Sequence, residues 1–305
     1  MSEQTSVSPC CVTGHIHAGT PIGSTSILHS LRTYTSLPSS PAPSSAGEGK
    51  QDTVIFISDI FGIDLVNTKL LADEWAGKGW KVLLPDFFEG DAVPDSLLQA
   101  IAPNARYQAE STTTSKTADG AKAGATMGPW LAKHREAVSK PLIEKYVQAV
   151  RSDPSTGKIA LVGFCWGARY AFLLSQSTSP ARPDVIIANH PSFLTVDDVK
   201  PVKGVPVQVT KGDEDGIMSE EELDEVEKVL TENLGQNVLV KRFPGAVHGF
   251  TVRGDMEDGQ EKGQKEDAQV SPEPKRQADS DPSFKINTEF VQKYFAQVPS
   301  RAIVR

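Results

Sequence analysis

Cys165 is the residue whose type and setting most directly suggest chemistry. It stands at the centre of the run Gly163-Phe164-Cys165-Trp166-Gly167, after the apolar, β-prone residues Ile159, Ala160, Leu161 and Val162 and before a helix-compatible stretch at 168–174. Strand, sharp turn and helix in that order lift a side chain clear of a sheet and present it as a nucleophile. The flanking glycines give the neighbouring backbone and the crossing helix room to approach. A helix starting directly after the turn brings a positive dipole end and unpaired N–H groups, which favour a thiolate and can hold an oxyanion. A cysteine there could instead be a small buried hydrophobe; the two glycines and the strand-to-helix order favour chemistry.

Two further groups follow predicted strands. Asp213 and Asp215 lie in Lys211-Gly212-Asp213-Glu214-Asp215-Gly216, and His248 lies in Pro244-Gly245-Ala246-Val247-His248-Gly249-Phe250. A histidine near a thiol can maintain the thiolate and later act on water, and a carboxylate can fix its tautomer and stabilise the imidazolium. Asp215 is placed ahead of Asp213 for that role, each being otherwise an ordinary turn residue. His248 read without chemistry is a structural loop histidine. The pairs Cys10-Cys11 and His15/His17 match no common zinc spacing, so no metal is expected.

Lys and Arg total 31 against 39 Asp and Glu, a net charge of −8 that argues against non-specific nucleic-acid binding. Three cysteines, two of them adjacent, make no disulfide framework and fit a reducing compartment. The N-terminus is polar and carries an acid, and no apolar run approaches the roughly 18 residues of a membrane span. A cytoplasmic protein with no membrane partner is expected.

The elements that must position these groups alternate. Apolar runs predict strands at 53–58, 80–84, 159–162, 184–189, 205–210 and 237–243, with helices at about 64–78, 129–150, 219–234 and 284–297. Ser219 three residues before Glu222 is a capping-box pattern. Alternating strands and helices imply a largely parallel sheet covered on both faces, with active groups on the loops after the strands' carboxyl ends. Residues 1–50 read as an N-terminal segment, partly extended, with a Ser/Pro-rich loop at 38–50; one α/β domain occupies 51–305. The Ser/Thr/Ala-rich stretch at 104–128 and the charged one at 255–282 are expected to be flexible inserts.

Taken together, Gly-Phe-Cys-Trp-Gly-Ala-Arg, Ser-Asp-Ile-Phe-Gly-Ile, Gly-Asp-Glu-Asp and Val-His-Gly-Phe-Thr-Val-Arg-Gly resemble the dienelactone hydrolase (carboxymethylenebutenolidase) family. Cys-Cys-Val-Thr-Gly and Pro-Asp-Phe-Phe-Glu-Gly resemble its fungal branch. The resemblance implies an α/β-hydrolase fold without a large cap domain, no cofactor, and thiolate attack on the carbonyl of a small enol lactone. It carries the nucleophile to Cys165, the acid to Asp215 and the base to His248. In this fold the oxyanion hole is made by the N–H after the nucleophile, here Trp166, and one after an earlier strand, here Ile60. Asp59 stands where bacterial members have a Glu that controls the resting thiol. Arg253 lies near the position of an arginine that binds the substrate carboxylate, one residue further from the histidine, and Arg106 is a second candidate. The expected activity is hydrolysis of a small lactone or activated ester through an acyl-cysteine. Its rivals are a general carboxylesterase or thioesterase, and a non-catalytic binding protein on the same scaffold.

Overall fold

Val, Ile, Leu and Phe dominate the segments that become strands, and their burial follows from that composition. The computed structural model describes residues 14–42, 44, 46–102, 110–268 and 286–297. Its strands are β1 (Ser24–Leu28), β2 (Leu31–Ser36), β3 (Gln51–Ile57), β4 (Lys81–Pro85), β5 (Thr156–Phe164), β6 (Val185–Asn189), β7 (Val207–Gly212) and β8 (Val238–Phe243). They form one sheet in the order β1-β2-β4-β3-β5-β6-β7-β8. The ladders from β4 through β8 are parallel, and β1 and β2 join as an antiparallel hairpin. All nine residues of β5 are buried, so both faces of the sheet are covered there, as a parallel sheet requires.

The hairpin was not foreseen within the N-terminal segment. Its two-residue turn is His29-Ser30, with φ of 49° and 73°, the left-handed pair that suits the twist of a tight hairpin. Further upstream, His15 N donates to the carbonyl of Arg253 at 3.0 Å, and Asn67 Nδ2 donates to the carbonyls of His15 (2.7 Å) and Val252 (3.0 Å). His17 Nε2 lies 2.8 Å from the carbonyl of Gly254. These two histidines lace the segment onto the domain. Cys10 and Cys11 lie outside the described residues, and among the described residues no three His, Cys, Asp or Glu side chains gather as they would around a metal.

The principal helices are α1 (Val66–Ala76), α2 (Thr113–Lys133), α3 (Glu136–Ser152), α4 (Trp166–Ser175), α5 (Glu220–Leu234), α6 (Gly259–Ala268) and α7 (Ile286–Gln297). Helix α4 packs on β5 and β6 and is buried nearly all round. Arg169, its one residue not fully buried, is held by Asp198 at 2.9 and 3.0 Å and by Glu136 at 2.7 Å. The capping box of Ser219 and Glu222 opens α5 with both hydrogen bonds made. Phe290, Val291, Tyr294 and Phe295 are the buried side of α7; Phe284 lies outside the described residues.

Both expected flexible inserts carry helix. Residues 113–133 form α2, capped by Thr112, whose Oγ1 accepts from Ser115 N at 3.2 Å. Small polar residues hid the helix because it has almost no apolar stripe: Trp130, near its end, is its one fully buried residue. The single helix expected at 129–150 is instead two, broken at His134-Arg135. Within 255–282, residues 259–268 form α6, and 269–282 lie outside the described residues.

Candidate active site

Cys165 is the N-cap of α4 and adopts φ 53°, ψ −114°. A left-handed backbone at a non-glycine residue costs on the order of 1–3 kcal/mol, and here close packing enforces it. A Cβ on Gly167 would overlap the carbonyl of Ile57, and one on Gly163 would sit 2.5 Å from Ala168 Cα. The glycines thus let α4 cross directly over the ends of β3 and β5, and the turn aims the sulfur away from the sheet.

His248 and Asp215 meet beside it, delivered by the loops after β8 and β7. His248 Nδ1 lies 2.8 Å from Asp215 Oδ2, and Asp215 Oδ1 accepts from Ile217 N at 2.9 Å. Both side chains are buried. Asp213 is exposed and accepts from Gly245 N at 2.6 Å, so it shapes the β7–β8 loop contact and does not touch the histidine.

The charges at this site are coupled. Burial pushes the Cys165 thiol up, but the adjacent His248 outweighs it and the thiol ends below its ordinary value. Burial pulls His248 down, while Asp215 and Cys165 raise it to about 10. Each partner favours the charged form of the other.

Asp59 and Arg253 form a second buried unit. Asp59 Oδ1 accepts from Phe61 N at 3.0 Å, its Oδ2 is paired with Arg253 Nη1, and the guanidinium lies over the Phe61 ring, 5.3 Å from its centroid. Their charges oppose each other at Cys165: Asp59 raises the thiol and Arg253 lowers it. The two residues read separately in the sequence are one ion pair. Arg106 lies outside the described residues.

Trp166 is the first residue of α4, so its N–H has no acceptor within the helix. Ile60 follows β3 at the same end of the sheet, in the turn closed by Gly62 N donating to Asp59 O at 3.1 Å. Above Trp166 is an aromatic wall: Tyr170 at 4.1 Å, Phe88 at 4.8 Å and Trp130 at 6.1 Å between ring centroids. Trp130 belongs to α2, so the unforeseen helix contributes to the site's surroundings.

The sequence pattern of the dienelactone hydrolase family matches residues 39–271. The chain belongs to the dienelactone hydrolase family. It is thereby a carboxylic ester hydrolase with an α/β-hydrolase fold, and among the described residues there is no large cap. Among fungal relatives it is 29% identical over 260 residues to Hydrolase tropI of Talaromyces stipitatus, covering 82% of this chain and 88% of that one. It is 28% identical over 260 residues to Dienlactone hydrolase 1 of Gibberella moniliformis, covering 84% and 88%. A solved dienelactone hydrolase from Anabaena variabilis superposes with a TM-score of 0.50 at 14% identity, covering 82% of this chain and 95% of that one; at that identity the likeness concerns the fold alone.

Two residues beside Cys165 and His248 went unassigned from sequence, His190 and Ser192. Both follow β6, and a loop at the carboxyl end of a central parallel strand is the signal that could have flagged them. Ser192 Oγ lies 3.2 Å from Cys165 Sγ and 3.4 Å from His248 Nε2. His190 packs edge-on against His248 with ring centroids 4.9 Å apart, and its Nε2 lies 2.8 Å from Thr251 Oγ1. Burial, then the positive charges of His248 and Arg253, push His190 well below its ordinary pKa. That shift favours its neutral form beside His248.

Proposed function

We propose that this protein hydrolyses a small lactone or activated carboxylic ester through a Cys165-His248-Asp215 triad and an acyl-cysteine intermediate. The observation that carries the reading is the buried His248–Asp215 contact of 2.8 Å beside a cysteine in a strand-to-helix elbow. The thiolate attacks the carbonyl carbon, and the N–H groups of Trp166 and Ile60 receive the oxyanion. The carbon–oxygen bond to the leaving group breaks, and His248 Nε2 gives its proton to the departing oxygen. Water then loses a proton to Nε2 and attacks the thioester, returning the thiolate and releasing the acid. A reducing, cytoplasmic setting keeps the sulfur free to act.

Arg253 is assigned to a substrate carboxylate, which would bind it by taking the place of Asp59. That exchange would leave Asp59 without its partner, beside the sulfur whose protonation it influences. A second reading, a general esterase for neutral substrates, is favoured by the same ion pair, since Arg253 is already neutralised.

Turnover of enol lactones bearing a carboxylate, neutral aryl esters and thioesters is the test. Cys165→Ala should abolish it, with mass spectrometry finding an acylated Cys165 in the wild type under rapid quench. Near-wild-type rates in folded Cys165→Ala protein would remove the proposal. Arg253→Ala should lower kcat/KM by about 10- to 100-fold more on the anionic lactone than on the neutral ester. Equal loss on both substrate types would favour the general-esterase reading.

A further inference from the structure

The hydroxyl of Ser192 stands between the proposed nucleophile and the proposed base, at 3.2 Å from Cys165 Sγ and 3.4 Å from His248 Nε2. Its placement is tightly determined. Cys165 N donates to the carbonyl of Asn189 at 3.0 Å, Ser192 N donates to the carbonyl of Cys165 at 3.1 Å, and His190 N donates to the carbonyl of Thr210 at 2.7 Å. The loop after β6 is thus stitched to the elbow on one side and to β7 on the other. His190 and Phe193 take left-handed backbone, with φ of 38° and 59°, and Pro191 between them has a restricted φ. Strain of this kind persists only where the surroundings over-determine it. The buried side chain of Ser192 has the sulfur and the imidazole as its hydrogen-bonding neighbours.

We propose that Ser192 is a third polar member of the reacting centre, whose hydroxyl bridges Cys165 and His248 and conveys the proton between them. The proposal rests on the reading of Cys165 as nucleophile and His248 as base, and deepens it. In the neutral state the thiol donates to Oγ and the hydroxyl donates to Nε2. As the hydroxyl proton passes to Nε2, the thiol proton passes to Oγ, so the S–H and original O–H bonds break while N–H and new O–H bonds form. The result is a thiolate accepting from Ser192 and an imidazolium donating to it, with no other reactant consumed. The remaining titratable or charged groups facing the pair are Asp215 on the far side of the imidazole, neutral His190 on its flank, and the Asp59–Arg253 pair. His248 also hydrogen-bonds the sulfur directly and Arg253 acts on it through its charge, so removing the Ser192 hydroxyl takes from the thiolate one of its donors.

The test is Ser192→Ala, in a background carrying Cys10→Ser and Cys11→Ser so that Cys165 is the one reactive thiol. Iodoacetamide alkylation of Cys165 is followed from about pH 4 to about pH 10, across the ordinary thiol range, alongside the pH profile of kcat/KM on a neutral aryl ester. The expected result is an alkylation midpoint displaced to higher pH, an alkylation rate on the acid side reduced by about 10-fold, and an acid limb of kcat/KM that moves with it. Ser192→Thr, which restores a hydroxyl, should move both profiles back towards wild type. An unchanged midpoint and acid limb in Ser192→Ala would overturn the proposal whatever happens to its thermal stability, because a packing role leaves them in place. The underlying triad reading fails separately. If the wild-type background shows no depressed thiol midpoint, or Cys165→Ala turns over substrate, both inferences fall; with those intact, an unaltered Ser192→Ala profile removes this one alone.

Discussion

Asp215 and Asp213 are two residues apart and differ completely in setting, one buried on His248 and the other exposed on a loop amide. Asp215→Asn keeps the volume but removes the charge that favours the imidazolium, and should lower kcat by about 10²- to 10⁴-fold. Asp213→Asn should leave kcat within roughly threefold, as surface changes of this kind have small effects; a crippled Asp213→Asn with an active Asp215→Asn would reverse the assignment. The proposed thiolate–imidazolium pair of Cys165 and His248 also fixes a pH profile. Below the lowered thiol pKa the sulfur is protonated and inactive, so kcat/KM rises with pH through a midpoint below the ordinary 9.0 of a thiol. On the alkaline side the imidazolium loses its proton near 10, the leaving group loses its acid, and the rate falls. A single rise centred near 9 would show that no ion pair forms. Cys165, His248 and the acidic cluster were legible in sequence because each sits at a strand end in a glycine-rich turn. Ser192 and His190 were not, because their significance arises only when the loop after β6 folds back against the elbow.

At the scale of elements, glycines divide into those that allow contact and those that weaken a helix. Gly167 meets the backbone of Ile57 and Gly163 that of Ala168, so Gly163→Ala or Gly167→Ala must displace α4 and should destabilise the fold by about 1–3 kcal/mol or more. Gly120 and Gly124 lie inside α2 with nothing within 4 Å of a built Cβ. Substituting each by Ala should stabilise by about 0.5–1 kcal/mol. Thermal or urea unfolding of the four variants should show the opposite signs, and a loss of stability in Gly120→Ala would contradict the helix. The same residues explain what was legible. Strands announced themselves by β-branched runs, and α5 by its capping box and apolar period. Helix α2 has glycines, threonines and serines where a stripe would be, and its anchor, Trp130, comes near its last turn. The hairpin of β1 and β2 was obscured because β1 is an edge strand of Ser, Thr and exposed Ile27.

Across the whole molecule, the Asp59–Arg253 pair joins regions 194 residues apart in sequence. Asp59 follows β3 in the middle of the sheet, and Arg253 lies in the helical turn Phe250–Arg253 beyond the edge strand β8. The carbonyl of Arg253 also receives His15 N at 3.0 Å, so the N-terminal segment, the centre of the sheet and the loop carrying His248 converge on one residue. An arginine this buried is strongly disfavoured without a counter-charge, and removing one partner of such a pair typically costs about 3–5 kcal/mol. Replacing both by groups of similar volume leaves no orphaned charge and is often nearly neutral. Asp59→Asn and Arg253→Met should therefore each destabilise the protein substantially in urea unfolding, while the double variant should recover most of the loss, leaving a coupling energy of about 2 kcal/mol or more. Additive losses would mean that the two side chains act independently and that the guanidinium finds other partners when Asp59 is gone. The cycle also bears on substrate choice. If coupling is strong, an anionic substrate must offer Arg253 at least what Asp59 provides, and Asp59→Asn should lower KM for a carboxylate-bearing lactone while leaving KM for a neutral ester unchanged. Equal KM changes for both substrates would separate the ion pair's structural role from any part in recognition.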